Sequence, residues 1–259
     1  MAPSPESAKR TDSYFICGTP RTGSSLLLGL LESTAVAGRP QAYFREPDEQ
    51  LWAEKWRIPR TAEGTFRYPD FVQAALAAGR TGSGVFGAKL MWGTLGELVD
   101  KLSTLHPELA CEDAELLNRA FGLTRFVHLR REDVLAQAVS WLRAEQTNAW
   151  YVGGHGEIGG AAPDGGEPVF DADRIGELVR MAGEHNAAWE EWFASFGIEP
   201  YMVTYEELDA DNVGVTLGIL DFLGLELPAG RTVVPYHRRQ ADVLNSQWID
   251  RCRAESTGP

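Results

Sequence analysis

The stretch Gly18-Thr19-Pro20-Arg21-Thr22-Gly23-Ser24-Ser25 stands between an apolar run, YFICG at residues 14–18, and a leucine-rich run, SSLLLGLLES, that opens at Ser24. The first run is short, apolar and stopped by Gly-Thr-Pro, which predicts a buried strand entering a tight turn. The second sets Leu26, Leu27, Leu30 and Leu31 on one stripe at helical spacing, although Gly29 weakens the helix. A strand, a glycine turn and a helix in this order aim backbone N–H groups and the positive end of a helix dipole at one point, where an anion can sit.

The same alternation continues along the chain. GVFGAKLMW at 84–92, LTRFVHLR at 123–130 and PYMVTY at 200–205 read as further buried strands. Helical patterns cover 95–105, 113–121, 133–146, 174–196 and 206–223. Strands and helices in alternation predict an α/β fold: a central, mostly parallel sheet flanked by helices, with ligand at the carboxyl ends of the strands. Residues 1–13 read as a disordered polar tail, and 14–259 as a single domain. Within it, residues 151–169 carry seven glycines and two prolines, a composition that predicts a mobile loop, either an active-site lid or an insertion.

Composition narrows the function. The 259 residues carry 24 Lys+Arg against 37 Asp+Glu, a formal net charge of −13, which argues against nucleic acid as partner. A local nest of amides with one or two arginines still allows a small anion. Cys17, Cys111 and Cys252 are odd in number and widely spaced, so neither a disulfide framework nor a zinc site is expected, and no metal is assigned. The start, MAPSPESAKRTDS, lacks the apolar core of a secretory signal, and no apolar run reaches the roughly 20 residues of a membrane span. The expectation is a cytoplasmic protein.

The glycines and terminal hydroxyl of the loop mimic GxxxxGK[ST], the nucleotide phosphate loop, but Ser24 stands where the lysine would be. The positive charge has moved inside the loop, to Arg21, while Thr22, Gly23, Ser24 and Ser25 offer amides and hydroxyls. A loop without that lysine suits a ligand that needs no long triphosphate cradle. A second anion site is offered by FVHLRREDVLAQAVSW at 126–141. A strand ends there at Arg130-Arg131, Asp133 can cap a helix, and Ser140 lies on the helix face shared by Asp133, Gln137, Ala144 and Thr147. A guanidinium and a hydroxyl so placed could clamp one phosphate. Strand alternation sends the two arginines to opposite faces, so one of them serves.

FICGTPRTGSSLL at 15–27 resembles the 5′-phosphosulfate loop of sulfotransferases that use 3′-phosphoadenosine 5′-phosphosulfate (PAPS). AVAGRPQAYF (35–44), GVFGAKLMW, REDVLAQAVSWLRAEQTNAW (131–150) and RQADVLNSQWIDRCR (239–253) resemble successive blocks of the bacterial trehalose 2-sulfotransferase group. The resemblance implies a phosphate-loop-like sulfotransferase fold, PAPS as sulfuryl donor without a metal, and a homodimer. It also implies a 3′-phosphate site at Arg131 and Ser140, with Arg130 as the fallback, and Arg239 closing over the nucleotide. In sulfuryl transfer Arg21 and the loop amides would stabilise charge on the leaving phosphate, with Lys89 at its strand end as a second cation.

One position departs from the group. Its general base is a glutamate in a Pro-Gln-Glu-aromatic block, and here the block is Pro40-Gln41-Ala42-Tyr43. Alanine takes no proton. Three readings stay open: a substitute base, Glu46 first, then Glu49 or His155; an acceptor such as a phenol that ionises more readily; or a chain that only binds nucleotide. Gln41, Tyr43 and Phe44, with Trp52, are candidates for the acceptor side, and the acceptor itself is a small molecule, glycan or specialised metabolite. A phosphate-loop kinase is the rival enzyme class.

Overall fold

The computed structural model describes residues 11–150, 167–234 and 243–256. Among them four strands form one sheet: β1 (Ser13–Gly18), β2 (Phe86–Met91), β3 (Thr124–Arg130) and β4 (Tyr201–Thr204). Their order is β2-β1-β3-β4 and every pairing is parallel. The chain leaves β1 toward one side for β2, then crosses to the other side for β3. The crevice outside the carboxyl ends of β1 and β3 is therefore the point where strand order reverses, the usual ligand position in such sheets.

Both faces of the sheet are covered, which is why β1 reads as an unbroken apolar run: all six of its residues are buried. Phe15 and Cys17 face a core built with α2 (Glu46–Lys55), α3 (Tyr68–Gly79), α4 (Trp92–Leu105), α5 (Asp113–Phe121) and α7 (Ala172–Ser195). Tyr14 and Ile16 face α1 (Ser24–Ser33), α8 (Tyr205–Ala210) and α9 (Asn212–Leu223). A third cluster joins α6 (Val134–Thr147) to α7 and α10 (Val243–Ser256), with Trp141, Leu178 and Trp248 at its centre.

Three differences from the sequence reading have local causes. The expected helix at 206–223 is two helices, because the Asp211 carboxylate accepts the Gly214 N–H and starts α9 afresh. Helices α2, α3 and α10 were not assigned from sequence; α2 and α10 are largely polar, and their few apolar residues give little periodicity. The expected tail boundary also moves: Thr11 and Ser13 are buried, and the Ser13 hydroxyl lies 2.9 Å from that of Thr124. Residues 1–10 lie outside the described residues, as does 151–166 of the glycine-rich segment. At that segment's far end Val169 is tied to α6, its N–H bonded to the Gln146 side chain at 2.8 Å.

Candidate active site

The site begins where β1 stops. A Cβ at Gly18 would sit 2.5 Å from the Leu129 carbonyl oxygen of the neighbouring strand, so the strand can end here only on glycine. The turn then takes two left-handed residues, Arg21 at φ 67° and Gly23 at φ 83°. Alternation of this kind folds successive amides into an anion-binding concavity. Gly23 is the N-cap of α1 and supplies no side-chain cap, and the first turn holds no acid. By contrast Asp133, Asp171 and Asp211 cap α6, α7 and α9. The start of α1, with Ser24 and Ser25 in its first turn, is left electropositive at the strand ends.

A second group of residues comes from beyond β3. Arg130 turns outward to Glu190 on α7 at 3.3 Å. Arg131 turns the other way, its Nη1 3.5 Å from the Arg21 carbonyl and its guanidinium 4.3 Å over the Tyr205 ring. Arg21 itself reaches across to α6, where its Nε donates to Ser140 Oγ at 3.0 Å and its Nη1 to the Trp150 carbonyl. One turn further, Arg143 donates to Asn245 Oδ1 of α10 at 2.7 Å. Burial, and then the nearby charges of Arg131 and Arg143, push the Arg21 guanidinium down to about 10. Like charges drawn together in a partly dry crevice make it locally positive in an otherwise acidic protein.

Sequence reading treated Arg21 and Ser140 as members of two sites; the structure joins them by a hydrogen bond. It brings Arg21, Thr22, Gly23, Ser24, Ser25, Arg131 and Ser140 to one crevice. Four contributors were missed. Arg143 follows Ser140 by three residues on the same helix face and was findable by spacing. Gln137, on that face too, was given no role of its own and is fully buried. Tyr205 and Trp189 arrive from α8 and α7, and no local motif marks them.

The acceptor-side candidates separate. Gln41 forms a parallel bridge with Ala88, its carbonyl accepting the Lys89 N–H at 3.0 Å, so this segment lies along the edge of β2. Lys89 points to the face opposite Ala88 and Leu90, the α1 side. Tyr43 and Phe44 correct the expectation: both are core residues, stacked or edge-on against Phe86 and Phe121, and the Tyr43 hydroxyl is spent on the Arg39 carbonyl at 2.6 Å. Rings enclosed this way offer no face to an acceptor. Trp52, 5.1 Å from Trp56, is buried in the same cluster.

Glu46 opens α2 and faces Lys101 at 3.4 Å. Lys101 lies about 13 Å along α4 from that helix's start at the β2 end. Glu49 shares Lys101 at 2.8 Å and accepts the Tyr68 hydroxyl at 3.1 Å, while burial raises its carboxyl above the usual range. His155 and Arg239 lie outside the described residues. Among the described residues no cluster of three or more His, Cys, Asp or Glu could hold a metal ion. No helix among them is long and apolar enough to cross a membrane.

Residues 13–255 match the model of the family described as Stf0 sulphotransferase. The chain is 30% identical to a trehalose 2-sulfotransferase of Mycobacterium tuberculosis (strain ATCC 35801 / TMC 107 / Erdman), over 94% of this chain and 95% of that protein. It is 29% identical to a trehalose 2-sulfotransferase of Mycolicibacterium smegmatis over the same shares. A solved sulfotransferase structure from Alicyclobacillus acidocaldarius aligns with a TM-score of 0.48 at 16% identity, covering 96% of this chain and 93% of that one.

Proposed function

The chain belongs to the Stf0 sulphotransferase family, and from that premise we propose that it transfers the sulfuryl group of PAPS to a hydroxyl of a small-molecule or glycan acceptor. The observation that carries the donor half is the gathering of Arg21, Arg131 and Arg143 beside the uncapped start of α1. A nucleotide phosphorylated at both 3′ and 5′ positions offers two anions that guanidinium groups and helix-start amides can bind.

In this reading the residues divide as follows. The amides and hydroxyls of Thr22, Gly23, Ser24 and Ser25 hold the 5′ end, with the α1 dipole behind them. Arg131 and Ser140 hold the 3′ phosphate, and Arg239 covers the nucleotide. Arg21, bonded to Ser140 and adjoining both, lends its charge to the phosphate that departs. Lys89 supplies a second cation from the β2 side. When bound, PAPS supplies an activated S–O bond; the acceptor oxygen bonds to sulfur as that bond breaks, and the acceptor proton passes to a base. Positioning and charge stabilisation then carry most of the catalysis.

The relatives are named for trehalose, but Ala42 stands at the position of their group's glutamate. We assign the base role to Glu46, whose carboxylate is largely exposed at 3.4 Å from Lys101 and would have to exchange that partner for the acceptor. Glu46→Gln with unchanged turnover would remove it and favour an acceptor acidic enough to need no base.

The donor reading is tested by calorimetric titration with 3′,5′-adenosine bisphosphate and with ATP, each with and without Mg²⁺. Binding of the bisphosphate, indifferent to metal, is the expected result. A preference for Mg·ATP would instead make the protein a phosphate-loop kinase. Binding without transfer to any hydroxyl acceptor would leave a nucleotide-binding protein.

A further inference from the structure

Every peptide unit of a phosphate-binding turn carries a carbonyl as well as an N–H, and a carbonyl oxygen facing the anion repels it. In this chain four successive carbonyls at the turn are each engaged by a side chain. The Gly18 oxygen accepts the Trp189 indole N–H at 3.1 Å, and the Thr19 oxygen accepts the Thr22 hydroxyl at 2.9 Å. The Pro20 oxygen accepts the Gln137 amide at 2.7 Å, and the Arg21 oxygen lies 3.5 Å from Arg131 Nη1. The donors come from α7, the turn itself, α6 and the end of β3.

Gln137 differs from the other three. Its Nε2 uses both hydrogens on the turn, one on Pro20 and one on Thr19 Oγ1, also at 2.7 Å. It is fully buried, and its own Oε1 is buried with no partner among the described residues. A buried acceptor left so disfavours the fold, so the two bonds on the other end of the amide fix its orientation. With the amide reversed, Oε1 would meet the Pro20 oxygen, acceptor against acceptor. The Pro20–Arg21 peptide is trans, so holding its carbonyl against α6 points the Arg21 N–H the opposite way. That residue is left-handed, a conformation a non-glycine side chain adopts only when its surroundings impose it.

We propose that Gln137 is a positioning residue for the 5′-phosphate end of the nucleotide: by holding Thr19 and Pro20 it turns the carbonyls away and presents the turn as a surface of donors. It sits one helical turn before Ser140, so the same helix that reads the 3′ phosphate shapes the turn that reads the 5′ phosphate. This rests on the donor reading above.

The test separates the two ends of the ligand. Wild type, Gln137→Met and Thr19→Val are titrated with 3′,5′-adenosine bisphosphate, 3′-AMP and 5′-AMP. Gln137→Met keeps the volume and removes both bonds; Thr19→Val removes one acceptor in a near-isosteric change and guards against a variant that fails to fold. Gln137→Met should weaken the bisphosphate and 5′-AMP by about tenfold to a hundredfold. Thr19→Val should do the same by roughly threefold, and 3′-AMP should change by less than about twofold in both. Equal weakening of all three ligands would make Gln137 a prop of the fold, and unchanged 5′-phosphate affinity would show that the turn shapes itself; either overturns the proposal. Wild type that binds none of the three would overturn the donor reading first, and this proposal with it.

Discussion

At the scale of single residues, the two adjacent arginines after β3 are the sharpest contrast in the site. Arg131 packs on Tyr205 beside the turn, whereas Arg130 pairs with Glu190 on the other side of the sheet. Arg131→Ala should weaken 3′,5′-adenosine bisphosphate by about ten- to a hundredfold, the loss expected for charged hydrogen bonds, and Arg130→Ala by less than twofold. Calorimetry on the two variants decides between them. His128 makes a different prediction. It is fully buried on β3 against Phe193, with neither ring nitrogen partnered among the described residues. Burial, and then the charge of Arg130, lower it to about 4 from an ordinary 6.5. The folded chain therefore holds the ring neutral, and its contribution to stability is full above pH 6.5 and falls as pH drops from there toward 4. Between pH 7.5 and 4.5 the wild type should lose about 2–3 kcal/mol more than His128→Leu, measured by urea unfolding at both values.

At the scale of elements, α10 carries more than its polar sequence suggests. It buries Trp248 and Cys252 against α6 and α7 and sends Asn245 to Arg143. Trp248→Ala should lower the unfolding free energy by about 3–5 kcal/mol, read from the urea midpoint at constant slope. The strands were legible because each is an apolar run bounded by turn residues: Tyr14 to Gly18 was placed to within one residue of β1. α10 was not legible, since only Trp248 and Cys252 of its residues are fully buried, with Leu244 and Ile249 partly so, on an otherwise largely polar helix. The turn at 18–25 was legible as a tight link between strand and helix because its glycines, arginine and hydroxyls are contiguous. What holds that turn was not: Gln137, Trp189 and Tyr205 reach it from α6, α7 and α8, and a sequence shows no distance across such separations. Tyr43 and Phe44 misled for the converse reason. Aromatic residues suit sugars and cores equally, and here the core takes them.

For the whole molecule, a net charge of −13 surrounds a crevice lined by arginines, so the site is a local exception to the protein's own field. An anion that fills it binds the folded chain and not the unfolded one. At a hundred times its dissociation constant the bisphosphate should add about 2.7 kcal/mol of stability. For a chain of this size that is a rise in Tm of about 5–11 °C, while ATP at equal concentration should give less; thermal-shift measurement in both ligands checks it. Topology gives the site a reporter as well. The Trp189 indole N–H is bonded to the carbonyl that closes β1, with the Trp92 ring 5.2 Å away edge-on. Indole N–H resonances stand apart from backbone amides in a ¹⁵N correlation spectrum, and eight tryptophans give at most eight such peaks, assignable by single substitutions. One of them is thus an internal spectroscopic label at the turn that follows β1, able to report in solution whether a ligand settles there without any modification of ligand or protein.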